Sequence, residues 1–160
     1  MRYVSNDNMF IVDIPQICVD QMVSLIKISD TNETGGIVIG NYSKDLQTAY
    51  LTHMSEAPAD SKSGPMWFVR GTKGLCKLLL KFKAKEKYYI GEWHYHPNGS
   101  SNPSPTDKKQ IKEIAESKSY SCPEPILIII GGNHLQYQIG VFITVRKTQK
   151  FIELKKFNCQ

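Results

Sequence analysis

Two histidines placed two residues apart at the end of an extended run constrain this chain more than any other feature. The segment reads Glu92-Trp93-His94-Tyr95-His96-Pro97 and follows Tyr88-Tyr89-Ile90-Gly91. On a strand, residues i and i+2 share a face, so His94 and His96 can aim at one point. Pro97, Asn98, Gly99, Asn102 and Pro103 make the next stretch a loop. Ser104-Pro105-x-Asp107 then reads as a helix start, with Ser at the N-cap and Pro at the first helical position. The loop can fold Asp107 back toward the histidines. Two imidazoles and one carboxylate make a ligand set for a catalytic zinc that keeps its fourth position open to water. Each piece alone has a plainer explanation. A His-x-His pair can be two surface or capping histidines, and Ser-x-x-Asp suits a helix start without any metal. The combination of strand, loop and helix start is what points to a metal.

The rest of the chain bounds the setting. A length of 160 residues suits one domain, residues 1–160, with one proper core. The composition, 41% hydrophobic and 22% charged, is that of a globular protein and argues against long disorder. Asn6, Asp7 and Asn8 stand where a signal peptide would need an apolar core. The longest aliphatic run, residues 126–130, is too short to cross a bilayer. A soluble, cytoplasmic protein without a membrane partner is expected. Cys18, Cys76, Cys122 and Cys159 form no Cys-x-x-Cys pair, which speaks against cysteine zinc sites and thioredoxin chemistry. Cys18 and Cys76 fall in apolar patterns and are expected to be buried thiols. The net charge of +5 lies in lysine-rich segments, 77–87 and 146–156. These read as solvated faces, or as a docking face for an acidic partner or nucleic acid. No interleaved aromatic platform argues for nucleic acid.

Periodicity predicts the elements. Strands are expected at 9–12, 36–42, 47–54, 88–95, 125–131, 136–145 and 151–157. A first helix begins at Pro15 with Ile17, Cys18, Met22, Leu25, Ile26 and Ile28 on its apolar face. A second spans 69–84, with Leu75, Leu78, Leu79 and Phe82 inward. A third spans 106–117, with Ile111, Ile114 and Ala115 inward. Residues 30–34 and 57–65 read as loops. The pattern is α+β, a mixed strand-rich sheet with helices against it.

His94-x-His96, ten residues and then Asp107, with Ser104 inside the gap, resembles the JAMM/MPN zinc metalloprotease motif. Glu33-Thr34-Gly35-Gly36-Ile37-Val38-Ile39-Gly40 is similar to that family's upstream glutamate, Gly-Gly and strand. The resemblance covers nearly the whole chain. It implies a cytidine-deaminase-like fold, a curved β-sheet flanked by helices with the metal at the sheet's edge. Trp67-Phe68-Val69-Arg70-Gly71 and Cys122-Pro123-x-Pro125-Ile126-Leu127-Ile128-x-x-Gly131-Gly132 narrow it to the small bacterial JAMM proteins of CBASS antiphage operons. Such a protein is deubiquitinase-like. The resemblance implies that it cuts the amide joining the C-terminus of a cyclic-oligonucleotide synthase to target lysines.

The resemblance implies a role for each motif residue. His94, His96 and Asp107 would hold Zn2+, Glu33 would move the water proton, and Ser104 would donate to the oxyanion. Trp93 and Tyr95 face away from the histidines. Glu92 is read as alternating away too, and so is not made a ligand. His53 and His134 have no motif partner. Segments 57–65 and 97–103 flank the site and are candidates for gripping a substrate tail. The alternatives are a peptidase of another bacterial ubiquitin-like or sulfur-carrier pathway, a small-molecule amidase, and a non-catalytic scaffold.

Overall fold

The computed structural model describes residues 1–158. Cys159 lies outside them. The strands are β1 (Arg2–Val4), β2 (Ile11–Asp13), β3 (Thr34–Tyr42), β4 (Thr48–Met54), β5 (Lys62–Gly64), β6 (Trp67–Val69), β7 (Tyr88–Pro97), β8 (Ile126–Gly132), β9 (Tyr137–Val145) and β10 (Lys150–Lys156). The helices are α1 (Gln16–Ser29), α2 (Leu75–Lys83) and α3 (Pro105–Glu116). The α+β class and the mixed sheet are as expected. The expected curved sheet goes further and closes on itself. Eight strands close into a barrel in the order β1-β10-β9-β8-β7-β3-β4-β2, and β1 pairs with β2 to shut it. Strand β7 therefore has a neighbour on each side, antiparallel β3 and parallel β8. Closure removes the unpaired backbone edges that an open sheet would leave.

Alternation along the strands separates an inner from an outer face. Trp93 and Tyr95 on β7 and Ile126, Ile128 and Ile130 on β8 point inward. There they meet Cys18, Val19, Met22 and Ile26 of α1 in one cluster. The helix therefore turns Val19 inward, and the expected Ile17 and Ile28 lie on its exposed side. Leu127 and Ile129 point outward and are covered by Ile111 of α3. Both faces of β8 are thus dry, which is why its sequence is a continuous apolar run. Full burial of a side chain such as Ile111 is worth about 1.5–3 kcal/mol, enough to fix α3 on the outer face.

Helix α2 covers another outer patch, Ile37, Ile39 and Tyr89, with the expected face of Leu75, Leu78, Leu79 and Phe82. It starts at Leu75 rather than 69. Residues 67–69 are strand β6, and Gly74, in the left-handed region at φ 85°, starts the helix instead. Cys76 is one step off the apolar face and is exposed, not buried as expected, while Cys18 and Cys122 are buried. The 57–65 loop contains β5, which pairs with β6 as a separate two-stranded ribbon. Among the described residues no helix is long and apolar enough to cross a membrane.

Candidate metal and catalytic site

Beyond the irregularity at Gly91, the even positions of β7, Glu92, His94 and His96, face outward toward α3 and the ribbon. His94 is buried there, and His96 is half-buried one step nearer the strand end. Two backbone events then bring Asp107 to them. Asn98 takes a positive φ and donates its N–H to the Gly132 carbonyl at 2.8 Å, turning the chain off the barrel. The following loop lies directly on β8, where a Cβ on Gly131 would sit 2.3 Å from the backbone carbon of Ser100. Only a glycine there lets the loop approach so closely.

Ser104 then caps α3. Its Oγ accepts from the Asp107 N–H at 3.1 Å, while Asp107 Oδ2 accepts from the Ser104 N–H at 2.7 Å. This reciprocal capping box pins the Asp107 carboxylate at the helix N-terminus, where the macrodipole favours a negative charge.

Asp107 is the hub. His94 Nδ1 lies 2.8 Å from its Oδ1, and His96 Nε2 lies 3.4 Å from its Oδ2. The Ser104 hydroxyl also donates to Oδ2, at 2.7 Å. Burial pushes the Asp107 pKa up, but hydrogen bonds from His94, His96 and Ser104 outweigh it and hold the carboxyl well below the usual range. The hydrogen bond to Asp107 raises His96 above an ordinary histidine. His96 Nδ1 lies 3.2 Å from the Ser100 carbonyl, an acceptor only. That contact needs the proton on Nδ1, so the neutral ring presents the Nε2 lone pair to the site.

Glu33 immediately precedes β3, whose Thr34 is paired with Tyr95 and Gly35 with His94. This register, not sequence proximity, delivers Glu33 to the end of β7. Burial raises its pKa, and it feels the charges of His96, Asp107 and His94. Gly35 and Gly36 belong to the strand and make no turn. A Cβ on Gly35 would sit 2.3 Å from the Trp93 carbonyl and 3.0 Å from the His94 ring. The glycine makes room for the imidazole.

The five residues Glu33, His94, His96, Ser104 and Asp107 therefore lie together. Their donor set, two imidazoles and a carboxylate at one partly buried point, is chemically suited to a divalent metal. Among the described residues no group of three or more His, Cys, Asp or Glu side chains is itself arranged to hold an ion; His94 and His96 are both turned onto the Asp107 carboxylate. Ser104 also differs from expectation. The hydroxyl proton expected to serve the oxyanion is donated here to Asp107.

Other residues complete the surroundings. Glu92 does not alternate away. Two residues from His94, it shares that face and lines the same cavity of about 340 Å³, with Arg70 and Asp107. Even spacing was the signal, misread at sequence level. Phe68 of β6 packs edge-on against His94 with ring centroids 5.7 Å apart. His53 is remote from this chemistry and stacks on Phe82.

Comparison with known proteins gives the family. The family model for prokaryotic homologs of the JAB domain matches residues 15–142. A curated "CD-NTase/cGAS isopeptidase" of Enterobacter hormaechei is 41% identical over 133 residues, 83% of this chain and 74% of that protein. A "Probable metalloprotease y4qB" of Sinorhizobium fredii is 28% identical over 123 residues, 74% of each chain. The solution structure of protein DSY2949 from Desulfitobacterium hafniense matches the fold with a TM-score of 0.67 at 16% identity, over 90% of both chains. The chain belongs to the prokaryotic homologs of the JAB domain, and the JAMM/MPN resemblance read from its motifs stands.

Proposed function

We propose that this chain is a zinc-dependent isopeptidase that cuts the amide joining a protein C-terminus to target lysines. Its substrate would be a cyclic-oligonucleotide synthase of a CBASS antiviral system, and it would act in the cytoplasm. The observation that carries the reading is the meeting of His94, His96 and Asp107 beside Glu33 at the end of β7. The relative named CD-NTase/cGAS isopeptidase supports the substrate class.

His94, His96 and Asp107 would hold the zinc. When bound, zinc polarises the scissile carbonyl and lowers the pKa of water to around 7. Glu33 would accept the proton of the attacking water and return it to the leaving lysine amine. Its raised pKa suits a group that must both take and give a proton. Ser104 would donate its hydroxyl proton to the oxyanion, which requires the hydroxyl to turn away from Asp107 Oδ2. Gly64 of β5 accepts the Glu33 N–H at 2.9 Å, so the ribbon stands against the general base. Its outer face shows Met66, Trp67 and Val69 to solvent. An extended substrate tail can add to its β6 edge by main-chain hydrogen bonds, with these side chains gripping alternate residues.

The test is metal analysis and cleavage on one preparation. Wild type is expected to hold close to one zinc per chain and to cut a conjugate of the synthase tail to a lysine side chain. His94→Ala should lose both properties. Wild type that takes up no zinc, or cuts only a linear carrier-protein tail, would move the protein to another reading.

A further inference from the structure

The ribbon β5–β6 is held to the barrel by more than its contact with Glu33. Arg70 follows β6 directly and turns into the fold. Its Nε donates to Glu92 Oε2 at 2.7 Å. Its other nitrogens donate to the Gly71 carbonyl at 2.9 Å and the Tyr120 hydroxyl at 3.1 Å. The second oxygen of Glu92 accepts from the Tyr89 hydroxyl at 2.7 Å. The Arg70 and Glu92 side chains are only 13% and 5% exposed. Such a pair is costly to desolvate, and swapping it for apolar groups is often neutral for stability. Stability is therefore a weak reason for a buried pair at this position. Its location is specific: one end closes the ribbon, and the other stands two residues before His94. The foot of the ribbon is also clamped, since Asp60 accepts the Thr72 and Lys73 N–H groups and Ser61 Oγ accepts that of Gly71.

We propose that Arg70 and Glu92 are positioning residues, a strut that sets the ribbon against the His94–His96 strand so that a chain lying on the ribbon arrives in register with the reacting centre. The pair is net neutral and supplies no ligand to the proposed metal, so it acts through placement. The activity arm of its test rests on the isopeptidase reading, and the exchange arm does not.

The test uses the full chain with Arg70→Met, Glu92→Leu and Tyr89→Phe together, the last so that the buried Tyr89 hydroxyl is not orphaned. Zinc per chain and melting temperature are expected to stay near wild type. Amide hydrogen exchange in residues 62–71 should accelerate by roughly tenfold or more while β7 to β9 stay protected. KM for the conjugate should rise by roughly tenfold, with kcat changed by less than about threefold. Arg70→Lys, which keeps the charge but loses the planar fork, is the second variant and should show the same changes in smaller measure. If both variants keep wild-type exchange in the ribbon, the strut is overturned. If exchange accelerates across the barrel as well, and kcat and zinc fall together, the pair only holds the fold and the proposal is equally overturned. If wild type itself cuts no conjugate, the isopeptidase reading fails, and ribbon exchange alone still decides the strut.

Discussion

Ser104 serves Asp107 with both its N–H and its hydroxyl. Each donates to the carboxylate, and the Oγ accepts the Asp107 N–H. Loss of the cap in Ser104→Ala should cost about 1 kcal/mol of stability. If the hydroxyl also serves the oxyanion, turnover should fall by roughly 10²-fold or more. Melting and turnover measured on the same sample separate the roles, and a stability loss with full turnover leaves Ser104 as a cap. The His96–Asp107 pair makes a second claim, on pH. His96 is raised in the folded protein, so its contribution is fully present below the ordinary histidine value of about 6.5 and is lost as pH rises through the raised value. Asp107 is lowered, so its contribution is present above the ordinary carboxylate value of about 3.9 and is lost as pH falls below it. Melting of metal-stripped protein should therefore weaken on both sides of a mildly acidic optimum. Excess zinc should abolish the alkaline loss, because ligand imidazoles must be neutral. Stripped protein whose melting is flat from about pH 6 to about pH 8 would count against the pair.

Among the elements, the strand–loop–helix unit from β7 to α3 was legible because its signals are local. A His-x-His strand end, a Pro/Gly/Asn loop and a Ser-Pro cap each specify their own geometry. The ribbon was not legible, since β5 and β6 have three residues each and carry too little alternation to detect. The three-residue β1 was missed for the same reason. Glu92 was misread although the pleat places it with His94 and His96, and with it went the link to Arg70. The close seat of the 98–103 loop on Gly131 also needed the structure. It carries its own expectation. Gly131→Ala would push a Cβ into the Ser100 backbone and displace the segment between His96 and Ser104. Overpacking of this kind costs about 1–3 kcal/mol, and a misplacement of about 1 Å can cost roughly 10²-fold in rate. Turnover should drop far more than stability does, read by cleavage and thermal melting. Unchanged turnover would show that the loop tolerates the shift.

At the scale of the whole molecule, the closed barrel accomplishes what no local signal could announce. The antiparallel pairing of β3 with β7 carries Glu33 across about 60 residues of sequence to the end of the histidine strand. Closure through β1 depends on pairings between the two ends of the chain, which periodicity does not encode. The motif resemblance supplied the upstream glutamate, while the physics of the register supplies its reach. The same register makes Glu33 the sharpest probe of the account, because it is placed beside the proposed metal without being counted among its ligands. The deciding measurement is zinc content and isopeptide cleavage on one preparation each of wild type, Glu33→Ala and Glu33→Gln. Both variants are expected to fold and to hold zinc as wild type does, with turnover lowered by roughly 10²–10⁴-fold, since neither side chain can accept the water's proton. A Glu33→Ala protein that holds zinc and cuts the conjugate at the wild-type rate would contradict the mechanism proposed for this site.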